Sequence, residues 1–315
     1  MLRLILSRIG LGLLTLLIVS LVIFVLTQIL PGDVASAVLG QNATPENLAV
    51  FRHELGLDQP AVLRYLGWLK GVLHGDFGVA LTNRRDIVGE LWPRFKNTLF
   101  LASYAALLAL PIAVGFGILA AVREGRLTDR IANIAALVAI SAPEFFVGYL
   151  LILNLAVNHD WFPSLATVSS DTPFGERVWT VTLPAVTMTF LVTAHMLRMT
   201  RNSVLSTMST PYVEMAFLKG LTRGRVVTRH ALPNAAAPII SVIALNLAYL
   251  VVGVVVVENV FTYPGIGQYM IDAVNKRDVP VIEACGMVFA AVFITLNTLA
   301  DVLAILLNPR LRHPR

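Results

Sequence analysis

A single carboxylate interrupts the apolar stretch from Ile131 to Val157: Glu144, directly after Pro143. Counted along a helix from Ile131 at about 1.5 Å per residue, Glu144 falls near the middle of a bilayer. An ionisable side chain at that depth is costly to hold and marks a candidate site by default. Two roles fit it. It lines a path and faces a cationic group of a passing solute, with the break at Pro143 opening a cavity wall, or it takes a hydrogen-bonded place in helix packing. Asn246 and Asn297 also lie in apolar stretches. Interhelical hydrogen bonding is the commoner fate of an amide there, and Asn246 is kept beside Glu144 as a lining candidate. Asp301 lies about two turns from the end of its stretch and invites a nearby arginine. His195 reads as a snorkelling or hydrogen-bonded imidazole near the inner interface, since nothing adjacent forms a metal-ligand pattern.

A second pattern lies in a polar loop, Thr210-Pro211-Tyr212-Val213-Glu214-Met215-Ala216-Phe217-Leu218-Lys219-Gly220. Thr210 suits an N-cap and Pro211 the first helical position. Glu214 sits near the positive end of the dipole, and Lys219-Gly220 closes the last turn. These signals predict a helix of about two to three turns. Val213, Ala216, Phe217 and Gly220 recur at helical spacing and give it an apolar face, directed at its own bundle or at another protein. A second short helix is expected from Arg225 to Leu232, halted by Pro233.

Other chemistry is missing from the sequence. It holds no Gly-x4-Gly-Lys-Ser/Thr phosphate loop, no His-Glu-x2-His pair and no Gly-x-Ser-x-Gly elbow. We therefore expect no catalytic residue, no metal ligand and no cofactor held by this chain. Cys285 stands alone in an apolar run and reads as a small core residue.

The elements that must position these residues are membrane helices. Over 315 residues, 57% are hydrophobic and 14% charged, against roughly 25% charged in a soluble domain. Six apolar runs are long enough to span: Ile9–Leu30, Thr98–Val122, Ile131–Val157, Val181–Met199, Ala236–Val257 and Glu283–Leu307. The first is too long for the core of a cleaved leader, despite the small residues Ala35-Ser36-Ala37 that follow. Placing the N-terminus inside puts 14 of the 24 Lys and Arg on the cytoplasmic side, as cytoplasmic loops require. Both termini are then cytoplasmic. The formal charge of +5 is spread along the chain without an aromatic-interleaved basic stripe, so nucleic acid is not an expected partner. Pro111 with Gly115 and Gly117, and Pro143 with Gly148, suggest packed, kinked helices.

Read as segments, residues 1–30 form the first span. Residues 31–97 form an outer helical cap containing Tyr65, Trp68 and Phe77. Residues 98–307 form a five-helix core with a cytoplasmic loop at 200–235, and 308–315 form a tail.

The pattern Glu214-x-Ala216-x3-Gly220-x9-His230-x-Leu232-Pro233 resembles the EAA loop of prokaryotic ABC-importer permeases, with Met215 in place of the middle Ala and His230 in place of the usual Ile. Further segments are similar to the dipeptide, oligopeptide and nickel branch: Leu30-Pro31-Gly32-Asp33, Leu55-Gly56-Leu57-Asp58-Gln59-Pro60, Gly75-Asp76-Phe77-Gly78, Glu258-x2-Phe261-x2-Pro264-Gly265-Ile266-Gly267, Arg277-Asp278-x-Pro280 and Asn308-Pro309-Arg310. The resemblance implies an all-α membrane protein of the type I importer kind, located in the bacterial inner membrane. It implies a coupling helix, with Glu214, Ala216, Phe217, Gly220, Leu232 and Pro233 as coupling residues. The implied partners are two ATPase subunits that bind ATP and magnesium, a second homologous permease subunit and a periplasmic or lipid-anchored substrate-binding protein. The implied cargo is a peptide, opine, glutathione-like molecule or nickel chelate. Two other readings stay open on the residues alone: a secondary carrier, favoured by the intramembrane Glu144, and a membrane sensor or assembly subunit that uses the loop to recruit a partner.

Overall fold

The computed structural model describes residues 2–29, 44–54 and 58–307. The motifs at Leu30–Asp33, Leu55–Leu57 and Asn308–Arg310, and the tail, lie outside the described residues. Within them the chain is helical, with one isolated bridge between Val79 and Asp86 and no named strand.

Five helices are each long and apolar enough to cross a membrane: α1 (Leu2–Ile29), α4 (Ile87–Val122), α7 (Phe174–Met208), α10 (Leu232–Val260) and α12 (Val279–Leu307). The sixth predicted span is broken. α5 (Leu127–Ser141) and α6 (Glu144–Leu151), which runs on as a π-helical turn over Ile152–Asn158, meet at 100°. The residue before a proline is pushed out of helical geometry. Ala142 is accordingly extended, with φ −84° and ψ 127°. Short helices complete the chain: α2 (Pro45–Glu54), α3 (Ala61–Leu73), α8 (Pro211–Leu218), α9 (Arg223–Val226) and α11 (Ile266–Lys276).

α4 begins at Ile87 rather than Thr98, because Asp86 Oδ2 accepts a hydrogen bond from Gly89 N at 2.7 Å and caps it there. Pro93 and Pro111 lie inside α4 without ending it. Its small residues Ala102, Ala105, Ala109 and Ala113 are buried in the core, and α7 packs along it. A Cβ on Gly117 would stand 2.8 Å from Thr200 Cβ and 2.9 Å from Leu197 O, so only glycine permits this backbone approach.

α1 packs against α12 at one side of the bundle. Thr27 Oγ1 donates to Glu283 Oε1 at 2.7 Å, and Arg8 pairs with Asp301 at 3.0 Å, as the sequence invited. In the segment between α1 and α4, Tyr65 and Trp68 of α3 lie against Phe24, with ring centroids 5.4 and 6.4 Å away. Phe77 packs on the central core. Cys285 is buried and free.

Candidate functional site

At the end of the bundle carrying α8, here the loop end, the predicted short helix runs from Pro211 to Leu218. Thr210 holds the capping position, but its hydroxyl turns back and donates to Thr207 O at 2.6 Å, so the expected side-chain cap is absent. The stop forms as predicted. Gly220 has φ +80°, its N–H donates to Phe217 O at 2.8 Å, and Leu221 N donates to Ala216 O at 3.3 Å. This is a Schellman closure, whose left-handed residue favours glycine.

The predicted apolar face divides. Val213 and Ala216 are buried with Val226 beneath Met208 and Leu221. Phe217 stays partly open, and Tyr212, Met215 and Leu218 are 46, 53 and 76% exposed. α8 is thus held from one side and presents an apolar side, flanked by exposed Glu214, that no described residue covers. The second short helix differs from expectation. α9 passes through a π-helical turn at Val227–Ala231 directly into α10, and Pro233 occupies its second position instead of halting the chain. The wider turn gives the proline ring room that a regular helix would not. Leu232 packs on Ala121, Val204, Val227, Ala235 and Ile239, tying this segment to α4 and α7.

Two ion pairs fasten the same end. Arg223 pairs with Glu124 and reaches Ala121 O at 3.4 Å. Arg201 of α7 grips Asp129 through Nε and Nη2 at 2.6 and 2.8 Å, a two-pronged contact that fixes orientation as well as charge. Asp129 also accepts from Gly125 N at 2.9 Å and Asn133 Nδ2 at 2.8 Å. The turn 123–130 is therefore bolted to α9 on one side and to α7 on the other.

An open-sided cavity of about 530 Å³ lies between the start of α6, α7 and α10, with Leu245, Tyr249 and Val252 exposed on its wall. Leu191 is the middle residue of α7 and Asn246 the middle residue of α10, and both line it. Glu144, the first residue of α6, and His195 share its wall, with Tyr249 beside them. The structure thus brings together Glu144 and Asn246, which sequence reasoning kept as lining candidates. It adds His195, which stands one turn from the middle of α7. Asn246 Nδ2 donates to Val242 O at 2.8 Å and Asn297 Nδ2 to Phe293 O at 3.0 Å, each within its own helix rather than across helices. Among the described residues Glu144 makes no hydrogen bond or ion pair. No group of three or more His, Cys, Asp or Glu able to hold a metal occurs among them either.

Residues 113–313 match the family described as binding-protein-dependent transport system inner membrane component, and residues 1–102 match its N-terminal companion. The chain belongs to this family of transport permeases. The permease is 34% identical over 339 aligned residues, covering both chains fully, to the dipeptide transport system permease protein of Escherichia coli (strain K12). It is 37% identical over 315 residues to the glutathione transport system permease protein of Salmonella typhimurium (strain LT2), covering 99% of this chain and 100% of that one. A probable peptide ABC transporter permease protein of Sinorhizobium fredii is 34% identical over 94% of each chain. The permease is a multi-pass, helical transport subunit.

At the opposite end of the permease, here the cap end, the segment Glu258 to Gly267 forms a clamp whose geometry sequence reasoning missed. Glu258 is fully buried. Its carboxylate accepts from Thr98 Oγ1 at 2.6 Å, Gly267 N at 2.7 Å and Gln268 N at 3.2 Å, so it caps α11 while holding α4. Thr98 Oγ1 in turn accepts from Ile266 N at 2.9 Å. Tyr263 donates to Asn97 O at 2.8 Å, Asn97 Nδ2 donates to Pro264 O at 2.8 Å, and Arg177 donates to Asn97 Oδ1. Burial pushes the Tyr263 phenol above its ordinary range. Burial also raises the Tyr269 phenol, with the Glu90 carboxylate that accepts its hydrogen bond adding to the effect. A Cβ on Gly267 would come 2.5 Å from Val255 Cα, which makes this glycine obligatory. Asp278 fastens the loop ahead of α4 by accepting from Leu81 N at 3.1 Å, Thr82 N at 2.9 Å and Thr82 Oγ1 at 2.8 Å. One signal could have found the clamp: an acid just ahead of a Pro-Gly-x-Gly turn into a helix, where free N–H groups attract an acceptor.

Proposed function

We propose that this chain is one membrane subunit of an ATP-driven importer of peptides or related small solutes, opines and nickel chelates included. A binding protein delivers the solute at the cap end, which faces outward, and both termini and the loop end face the cytoplasm of a bacterium. Two ATPase subunits dock on the loop end. Closure of the ATPase pair draws α8 together with its counterpart on a second, homologous permease subunit and opens the central cavity outward. The observation that carries this reading is the uncovered apolar side of α8, Tyr212, Met215 and Leu218, on a helix otherwise locked to its own bundle by Val213, Ala216 and the Gly220 closure. A short helix held rigidly on one side and bare on the other suits insertion into a partner's groove. The names of the dipeptide and glutathione relatives support the cargo class. The bolts at Arg223–Glu124 and Arg201–Asp129 supply the path by which movement of α8 and α9 reaches α4, α5 and α7.

The test is co-purification of the ATPase subunits through this chain. Met215→Asp with Leu218→Asp is expected to remove them, while Ile239→Val, buried inside the same end, leaves them bound. Retention of the ATPases by the double variant would contradict the docking assignment.

A further inference from the structure

The cavity between α6, α7 and α10 combines features that favour one ligand chemistry. Its volume of about 530 Å³ is in the range of small-molecule sites, roughly 300–1,000 Å³. Its wall is mostly apolar, with a few convergent polar side chains: Glu144, His195, Asn246 and Tyr249. No Lys or Arg contributes to the lining. Among the described residues, none pairs with or donates to the Glu144 carboxylate, whereas three other intramembrane or near-membrane acids are held. Glu258 takes three donors, Glu283 takes Thr27 and Asp301 takes Arg8. The break at Ala142–Pro143 ends α5 and places Glu144 on the first turn of α6 at the cavity wall. A carboxylate is acceptor only, and in apolar surroundings its field on a cation is far stronger than in water.

We propose that Glu144 forms a cation-recognising point in the translocation cavity, selecting solutes that carry an ammonium group such as the free amino terminus of a peptide. Asn246 and His195 stand on the same wall to meet the polar backbone of that solute. This proposal rests on the permease reading above and deepens it. The binding protein fixes what is delivered, and Glu144 then discriminates among delivered solutes by charge.

The test uses the whole complex purified through this chain, with Cys285→Ser removing the native thiol and Tyr249→Cys placing a reporter on the cavity wall. The reporter is modified with a cationic reagent, trimethylammonium-ethyl methanethiosulfonate, and with an anionic one, sulfonatoethyl methanethiosulfonate. The ratio of the two rates cancels simple accessibility. Glu144→Gln is expected to lower the cation-to-anion ratio about tenfold, the size of effect one nearby charge has on two oppositely charged reagents in a partly screened site, and Glu144→Asp is expected to keep it. A ratio unchanged by Glu144→Gln overturns the proposal, even where the ATPase subunits co-purify normally. Absence of ATPase subunits from the wild-type complex would instead count against the permease reading on which it rests.

Discussion

Glu144 interrupts an apolar stretch of this permease and Glu258 directly follows one, and their surroundings are opposite. Glu258, at the cap end, is enclosed and receives three hydrogen bonds from α4 and the first turn of α11. Glu144, at the broken span, opens on a cavity and receives none among the described residues. A carboxylate whose donors are all supplied by the protein is a fastener. One whose donors are missing has room for a donor from outside. Residue type does not separate the cases; the surrounding N–H and O–H groups do.

The largest expected effect comes from breaking the fastener. Glu258→Ala leaves Thr98 Oγ1 and the Gly267 and Gln268 N–H groups without their acceptor and hollows the clamp, costing about 3 kcal/mol or more. Denaturation of the purified subunit in detergent should show this loss, and Glu258→Gln, which keeps an acceptor oxygen, should lose less. Equal tolerance of Ala at 258 and at 144 would erase the contrast between the two acids.

An intermediate effect is expected at the loop end. Arg201→Ala removes both prongs from Asp129, which is nearly buried, and leaves a carboxylate only partly compensated by Gly125 and Asn133. A loss of about 2 kcal/mol is expected, below the full cost of breaking an enclosed pair because Arg201 retains some exposure. Transport should fall further than stability does, since the same contact joins the 123–130 turn to α7. Measuring ATPase turnover alongside uptake checks this: turnover that persists without uptake identifies a severed link, while parallel decline identifies simple unfolding.

The smallest effect on stability is expected at Glu144. Glu144→Gln breaks no hydrogen bond or ion pair and removes an uncompensated charge, so stability should hold level or rise slightly. A loss of stability well beyond about 0.5 kcal/mol would reveal a structural partner and move Glu144 into the class of Glu258.

The spans were legible in the sequence because apolar runs of bilayer length are seldom found in chains that fold in water. The limits of α8 were equally legible, since Pro211 and Gly220 act through their own backbones. What escaped prediction depended on contacts distant in sequence. α4 starts at Ile87 because Asp86 caps it, although Arg94 and Lys96 interrupt the apolar pattern there. The severity of the break at Pro143 could not be read from a single proline, given that Pro93, Pro111 and Pro184 lie within unbroken helices. Pro233 was expected to stop a helix and instead follows a π-helical turn. Thr98 and Glu258 are 160 positions apart, so their bond has no local signature. His195 was read alone, and its place on one wall with Glu144 depends on α6 and α7 coming together.

The most direct test of the coupling assignment is ATP-dependent solute uptake by proteoliposomes containing the complex purified through this chain, with trialanine as the probe. Wild type is compared with Glu214→Ala, which alters the exposed flank of α8, and with Gly220→Pro, whose ring forbids the left-handed closure at that position. ATP-dependent uptake in wild type, abolished by Gly220→Pro and reduced by Glu214→Ala, is the predicted result. Uptake that proceeds without ATP and ignores both substitutions would contradict it and point to a carrier that uses no ATPase partner.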